Sequence, residues 1–505
     1  MADVGQIQAR PVLDGVLDLS ELKRRSVRGG FLTFASQTAG MAIQFASTVI
    51  LARMLGPGDY GLVAMASAVT ALAGVFRDLG LSSAAIQKER LTRSQQCNLF
   101  WINVAVGCAI TVMLAAGSPI VALFYGNQEV SWITRALATT FAINSLSVQS
   151  STTLLRRLMF GRKAVADVSG GLIGMFVAVT LAANGFRYWS LVLGQIAGAL
   201  TTTCLLFLLS PFRPGAPSLR SGTKELLRFG GHVTMFDLVN YLHRNLDKIL
   251  IGRFCGTESL GLYNRAYALL MLPISNIRAP INAVAFPAMS KLGATTDVFR
   301  LYYRRIASVV ALLSMPLAAF MFTSARSIIE LALGPRWSGA AAIFQILALV
   351  SFIQPVLTLW GVVMLSSGRS KEYFYVGVFH AMCMSCGFLC GIPFGATGVA
   401  GGYCAMTYIT AVPILKWAFS GTCLRIGDFV AAVRSPLLAS MVSACCSYFI
   451  TGFYESILPP PLRVAVAAMI FAALYVGILI STSGGAKEIR YLLSAVRGAW
   501  CNGPD

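Results

Sequence analysis

Between residues 31 and 482 the chain alternates between apolar runs of about 20 residues and short polar breaks rich in Arg and Lys. A run of that length, wound as an α-helix, crosses the hydrocarbon of a bilayer while satisfying its own backbone hydrogen bonds. Fourteen such spans are expected, at approximately 31–52, 60–81, 98–118, 132–153, 166–184, 189–209, 230–251, 264–286, 306–325, 340–364, 374–391, 396–415, 436–453 and 464–482. Composition agrees, with 56% hydrophobic residues, only 12% charged residues and a mean hydropathy of +0.71. Soluble domains carry about 25% charged residues, so this chain lacks the polar surface to cover a soluble protein of its length. The expected fold class is an all-α polytopic membrane protein.

The net charge of +20 is compatible with nucleic-acid binding, but its distribution argues against that. The cations sit in clusters between apolar runs, as in a membrane protein whose orientation they fix. With the N-terminus in the cytoplasm behind Lys23, Arg24, Arg25 and Arg28, 27 of the 40 Lys and Arg residues fall inside. Eight fall outside, namely Arg53, Arg135, Arg187, Arg253, Arg265, Arg326, Arg336 and Arg463. An even span count with both termini cytoplasmic follows. The outer loops are short, the longest running from about Arg326 to Gly339, and no soluble domain is inserted.

The first 22 residues lack the apolar core and cleavage site of a secretory signal peptide. The twelve cysteines form no disulfide framework. Cys383, Cys386 and Cys390 share one helical face, read as a packing face rather than a metal site, and no cofactor is expected.

An internal repeat appears at an offset of 200. ARMLGPGDYGLVAMASA (52–68) aligns without gaps to GRFCGTESLGLYNRAYA (252–268), pairing Arg53 with Arg253, Gly56 with Gly256 and Gly61-Leu62 with Gly261-Leu262. Both copies join an odd span to an even one, so two parallel six-helix lobes are expected, followed by two extra helices. The expected divisions are an N-terminal segment at 1–29, lobes at 30–209 and 230–418 with a linker at 210–229, the extra helices at 419–482 and a tail at 483–505.

NLDKILIGRFCGTESLGLYNRAYALLMLP (245–273), INAVAFPAMSKL (281–292), the N-terminal VILARMLGPGDYGLVAMASAV and LSSGRSKEYF (365–374) carry a family resemblance. The chain resembles bacterial polysaccharide transporters, the Wzx-type flippases of the multidrug/oligosaccharidyl-lipid/polysaccharide exporter superfamily, over residues 25 to 480. It most resembles their colanic acid or succinoglycan exopolysaccharide branch. The resemblance implies two lobes around a central cavity in the bacterial inner membrane. It implies transfer of undecaprenyl-pyrophosphate-linked oligosaccharide between leaflets, by alternating access driven by an ion gradient or the membrane potential. Membrane lipids, a polymerase and chain-length or export proteins would be its partners, and nucleic acid would not.

On span 7, wound at 100° per residue, Asp237, Asn240, Arg244, Asp247 and Lys248 fall within about 100° of one another. Charges at the bilayer centre cost at least ~2.5 kcal/mol each, and are kept where they face a bundle interior or aqueous cavity. Arg244 and Lys248 suit a pyrophosphate. Asp237 and Asp247 suit pairing with them or ion coupling, and an internal ion-pair set is the alternative. Gln37 and Gln44 occupy the matching positions on span 1, either bonding sugar hydroxyls or joining helices. Arg77 and Asp78 close span 2. Arg278, between Pro273 and Pro280, is either an anion contact or an interhelical partner.

The chain lacks the G-x-x-x-x-G-K-[ST] phosphate loop. It also lacks the sizeable loops or nucleotide-sugar domain that a membrane polymerase or glycosyltransferase needs. A non-enzymatic secondary-active flippase is therefore expected, with a polysaccharide polymerase or a small-molecule exporter of the same superfamily as alternatives.

Overall fold

The computed structural model describes residues 19–75, 92–217, 245–454 and 459–481. Among them helix is the only regular secondary structure. Two compact units divide the chain, Met1–Glu258 and Ser259–Asp505. The first holds α1 (Leu19–Met54), α2 (Pro57–Gly74), α3 (Arg93–Tyr125), α4 (Glu129–Arg156), α5 (Phe160–Ala183), α6 (Tyr188–Leu209) and α7 (245–254). α8 (Gly256–Ser290) begins at the division. The second unit continues with α9 (Asp297–Thr323), α10 (Ala325–Ala332), α11 (Ala340–Leu357), α12 (Leu359–Ser366), α13 (Ser370–Gly391) and α14 (Gly395–Phe419). It ends with α15 (Ile426–Tyr454) and α16 (Pro460–Ser481).

Each expected span falls wholly or partly on one of these helices. Among the described residues eight helical stretches are long and apolar enough to cross a membrane, one of them covering both α13 and α14. Local chemistry sets several ends. Thr92 and Gln95 form a reciprocal capping box at the start of α3 (3.2 and 3.3 Å), and Gly126 closes α3 at φ 68°. The loop expected near Arg326–Gly339 instead contains α10 and a 3₁₀ turn, Pro335–Trp337. α10 is amphipathic, burying Ala325, Ile329 and Ala332, and Trp337 is fully buried.

The repeat extends far beyond the aligned turn. In the first unit α3 packs on α4, α5 on α6 and α4 on α6. In the second, α9 packs on α11, α13 on α14 and α11 on α14. Leu158 (φ 55°) turns the chain between α4 and α5 as Gly368 (φ 74°) does between α12 and α13, 210 residues later. Both turns close with matching backbone bonds, Met159 N–H to Leu154 O (2.8 Å) and Arg369 N–H to Met364 O (2.9 Å). The offset grows from 200 to 210 across the region where the second unit inserts α10 and its 3₁₀ turn.

Two glycine seams draw antiparallel helices together, Gly170 and Gly174 of α5 against Gly194 and Gly198 of α6, and Gly387 and Gly391 of α13 against Gly398 and Gly402 of α14. A methyl group on Gly402 would lie 2.0 Å from the Gly387 carbonyl oxygen. Such four-residue spacing lets helix backbones approach where lipid supplies no hydrophobic drive. Glycine packs this contact, while Cys386 and Cys390 beside it are exposed, which corrects the expected packing role of the cysteine face. The LSSGRSKEYF stretch has a structural task. Arg369 donates to Ala418 O (3.0 Å), Trp417 O (3.2 Å) and Ser420 O at the C-terminus of α14, and is held by Glu372. That carboxylate raises the guanidinium above its ordinary pKa by hydrogen bonding. In the first unit Arg162 caps α6 similarly, donating to Leu209 O (3.0 Å).

α15 and α16 are fastened to the second unit through α9. Arg300 Nε meets buried Asp428 Oδ1 at 2.7 Å, and Tyr475 Oη donates to Leu312 O at 3.1 Å.

Replacing Gly402 with leucine is expected to lower stability by about 1–3 kcal/mol through overpacking, read as a reduced thermal midpoint of the detergent-purified protein. Arg369→Ala is expected to cost about 2 kcal/mol, the scale of charged hydrogen bonds lost at a helix end, with Arg369→Lys recovering only part.

Candidate functional site

α7 carries the feature that singled out span 7. Asp247 is 5% exposed, while Asn245 and Lys248 are partly exposed. Asp247 Oδ1 accepts the backbone N–H of Lys248 (2.8 Å), and Lys248 Nζ turns back to Asn245 Oδ1 (3.4 Å). This part of the span is thus a compact polar cluster with a buried carboxylate. Asp237, Asn240, Arg244, Arg77 and Asp78 lie outside the described residues. Arg278 lies in α8, and its side chain is outside what is described. Gln37 and Gln44 are both exposed on α1, which packs against α5.

At the end of α7 the chain closes on the start of α2. A methyl on Gly61 would sit 1.8 Å from the Thr257 carbonyl oxygen, so backbone meets backbone there. Arg253 lies over the Phe124 ring (5.9 Å) and the Phe254 ring (5.7 Å). Asp59, whose Oδ2 accepts the Gly56 N–H, pairs with Arg187 at 3.4 Å. Arg187 has φ 45° and ψ −133°, a backbone conformation that costs on the order of 1–3 kcal/mol and is held by its surroundings. The repeated glycine turn therefore lies in a dense contact of α2, α3, α7 and the α5–α6 connection.

Two features escaped sequence reasoning. Arg265, counted with the outer cations at the start of a span, lies nine residues beyond the start of α8, where it is partly exposed. It shares a face with Glu258 and Asn276, each about 20° away at 100° per residue.

The other feature is α4. Twelve of its 28 residues are Ser, Thr, Asn or Gln, yet it packs against α2, α3 and α6. Most of its hydroxyls bond carbonyls of their own helix, for example Thr134 to Val130 O (2.7 Å) and Thr153 to Gln149 O (2.7 Å). Against α3 the register is fixed by Gly107 at Ser145 and by Thr111 Oγ1 donating to Ala138 O (2.9 Å). One turn along the same antiparallel register Asn103 comes opposite Gln149. Both are 1% exposed, and none of their four amide atoms has a hydrogen-bond partner. The signal was readable as a polar run inside a span, but period alone did not separate it from packing serines.

The helical bundle, its apolar helices and its repeat are those of a membrane transporter fold. Over 90% of this chain and 98% of the other, it superposes on the lipid II flippase MurJ in an inward closed conformation, with a TM-score of 0.71 at 12% identity. It also matches an inward-facing multidrug resistance MATE family transporter of the MOP superfamily (TM-score 0.54, 15% identity, 78% of this chain and 96% of that one). The model of the polysaccharide biosynthesis protein family matches residues 50–342, and the chain belongs to that family. Relatives include the teichuronic acid biosynthesis protein TuaB of Bacillus subtilis (strain 168), 27% identical over 71% of this chain and 74% of that protein. The lipopolysaccharide biosynthesis protein WzxC of Escherichia coli (strain K12) is 23% identical over 77% and 80%, respectively. The succinoglycan biosynthesis transport protein ExoT of Rhizobium meliloti (strain 1021) is 23% identical over 62% and 64%.

Replacing Asn103 with leucine and Gln149 with methionine together is expected to raise the thermal midpoint, because about 1–3 kcal/mol of uncompensated amide burial per group is removed. Either single replacement is expected to gain less.

Proposed function

We propose that this protein is a flippase that carries undecaprenyl-pyrophosphate-linked oligosaccharide from the cytoplasmic to the outer leaflet of the bacterial inner membrane for polysaccharide biosynthesis. Family membership supports the pathway. The observation that carries the transport reading is the polar cluster of α7, where Asp247 is buried with its Oδ1 on the Lys248 backbone N–H and the Lys248 ammonium turns to Asn245 Oδ1. Ionisable groups enclosed in a membrane-protein bundle mark a substrate or ion path.

The substrate's head carries concentrated negative charge through a medium of low dielectric, where an unpaired charge is costly. Arg244 and Lys248 compensate it, with the planar guanidinium matching phosphate oxygens. Arg77 and Arg278 act further along the same path. Asn240, Gln37 and Gln44 supply neutral hydrogen bonds. Asp247, Asp237 and Asp78 hold the cations when substrate is absent and couple the cycle to an ion. Access alternates between the two sides of the membrane, driven by an ion gradient or the membrane potential, with both termini cytoplasmic. A polymerase and chain-length or export proteins receive the product.

The expected outcome for Arg244→Ala is loss of polymer export by about tenfold or more, the scale of one charged contact, at unchanged membrane abundance. Lipid-linked units then accumulate on the cytoplasmic side. Normal export would remove Arg244 from the path. Chain lengthening, rather than leaflet transfer, by the purified protein in vesicles with labelled lipid-linked oligosaccharide would replace the flippase reading with a polymerase.

A further inference from the structure

Away from its exposed edge at Trp132, Thr139 and Leu146, α4 has a half-covered side. At 100° per residue Thr140, Asn144 and Ser151 lie within 40° of one another, and all three are partly exposed. The flanks are occupied. Phe141 packs against Gly74 of α2, and the Ile143 carbonyl accepts the Thr203 hydroxyl of α6 at 3.2 Å. α3 covers the opposite side through Ser145 and Gly107. The strip therefore opens between α2 and α6, and it is polar where a lipid-facing strip would be apolar.

Its chemistry is neutral. Between Arg135 and Arg156 the helix carries no charged residue. Thr140 donates its hydroxyl proton to Leu137 O (2.6 Å), which leaves the oxygen free to accept. The Asn144 carboxamide offers two donors and an acceptor. Such a set suits a ligand dense in hydroxyl groups and offers a phosphate no compensating positive charge.

The second unit provides an internal control. The turn at Leu158 and Gly368 fixes an offset of 210, so Thr140, Asn144 and Ser151 correspond to Val350, Gln354 and Gly361. Val350 is fully buried, and Gly361 lies against the Tyr373 ring. The Gln354 amide is taken up within its own unit, donating to Tyr403 Oη at 2.5 Å. Shared architecture therefore does not require a polar strip at this helix, and the first unit alone presents one.

We propose that Thr140, Asn144 and Ser151 form a binding strip for the sugar hydroxyls of the transported molecule. This rests on the flippase reading and adds a division of labour, with neutral contacts on α4 reading the glycan and the charged cluster of span 7 taking the pyrophosphate.

The test compares two probes on the full-length protein in nanodiscs. One is undecaprenyl pyrophosphate without sugar, and the other is the lipid-linked oligosaccharide that accumulates in host cells lacking this protein. Asn144→Leu and the milder Thr140→Ala/Ser151→Ala pair are expected to weaken binding of the sugar-bearing lipid by about tenfold, the worth of one or two hydrogen bonds. Affinity for undecaprenyl pyrophosphate is expected to be unchanged, which also certifies the fold of each variant, and Asn144→Gln is expected to recover part of the loss. Equal affinity of variant and unmodified protein for the sugar-bearing lipid overturns the strip, as does equal weakening toward both probes; either leaves the flippase reading standing. If the unmodified protein binds neither lipid, the flippase reading fails and the strip's role fails with it.

Discussion

Backbone hydrogen bonding in a medium without water is the constraint on which everything else here depends. Each peptide group inside the hydrocarbon must be satisfied within its own segment, so the described chain is helical throughout its spans. Helices that have settled their backbone bonds then lack a hydrophobic reason to associate in lipid. The glycine seams of α5–α6 and α13–α14 answer that need by close backbone approach. Each places glycines four residues apart on both partners, and each sits in a corresponding pair of helices of the repeat.

The repeat makes function visible by contrast. Two units with the same helix order and the same turn geometry share their architectural demands, so a polar residue present in only one unit is not explained by architecture. α4 illustrates this. Its counterpart, α11 and α12, is largely apolar and packs against α9 and α14 as α4 packs against α3 and α6. The strip on α4 is a departure of this kind, and it runs against the apolar preference of a packed helix.

Much was legible from the chain itself. The apolar period located helices, because a 20-residue requirement leaves little freedom in where a helix lies. The turn at Gly56–Gly61 and its copy at Gly256–Gly261 revealed the repeat, because a tight connection between helices tolerates few residue types. α10 was read as loop because eight residues are too few for a periodic signal to stand out. The sequence also could not say that Arg369 caps α14, because Ala418 and Ser420 lie about fifty positions away.

The amino-acid sequence by itself determined that this protein is a membrane-spanning helical repeat, since hydropathy, length and residue type decide those properties locally. Tertiary structure alone decided which polar side chains are enclosed and which remain open. Gln149 and Asn144 are both carboxamides on α4, five residues apart, and either suits a hydrogen-bonding role. Packing against α3 buries the first, and the gap between α2 and α6 leaves the second partly exposed. That distinction depends on where neighbouring helices lie, and chemistry along one helix does not contain it.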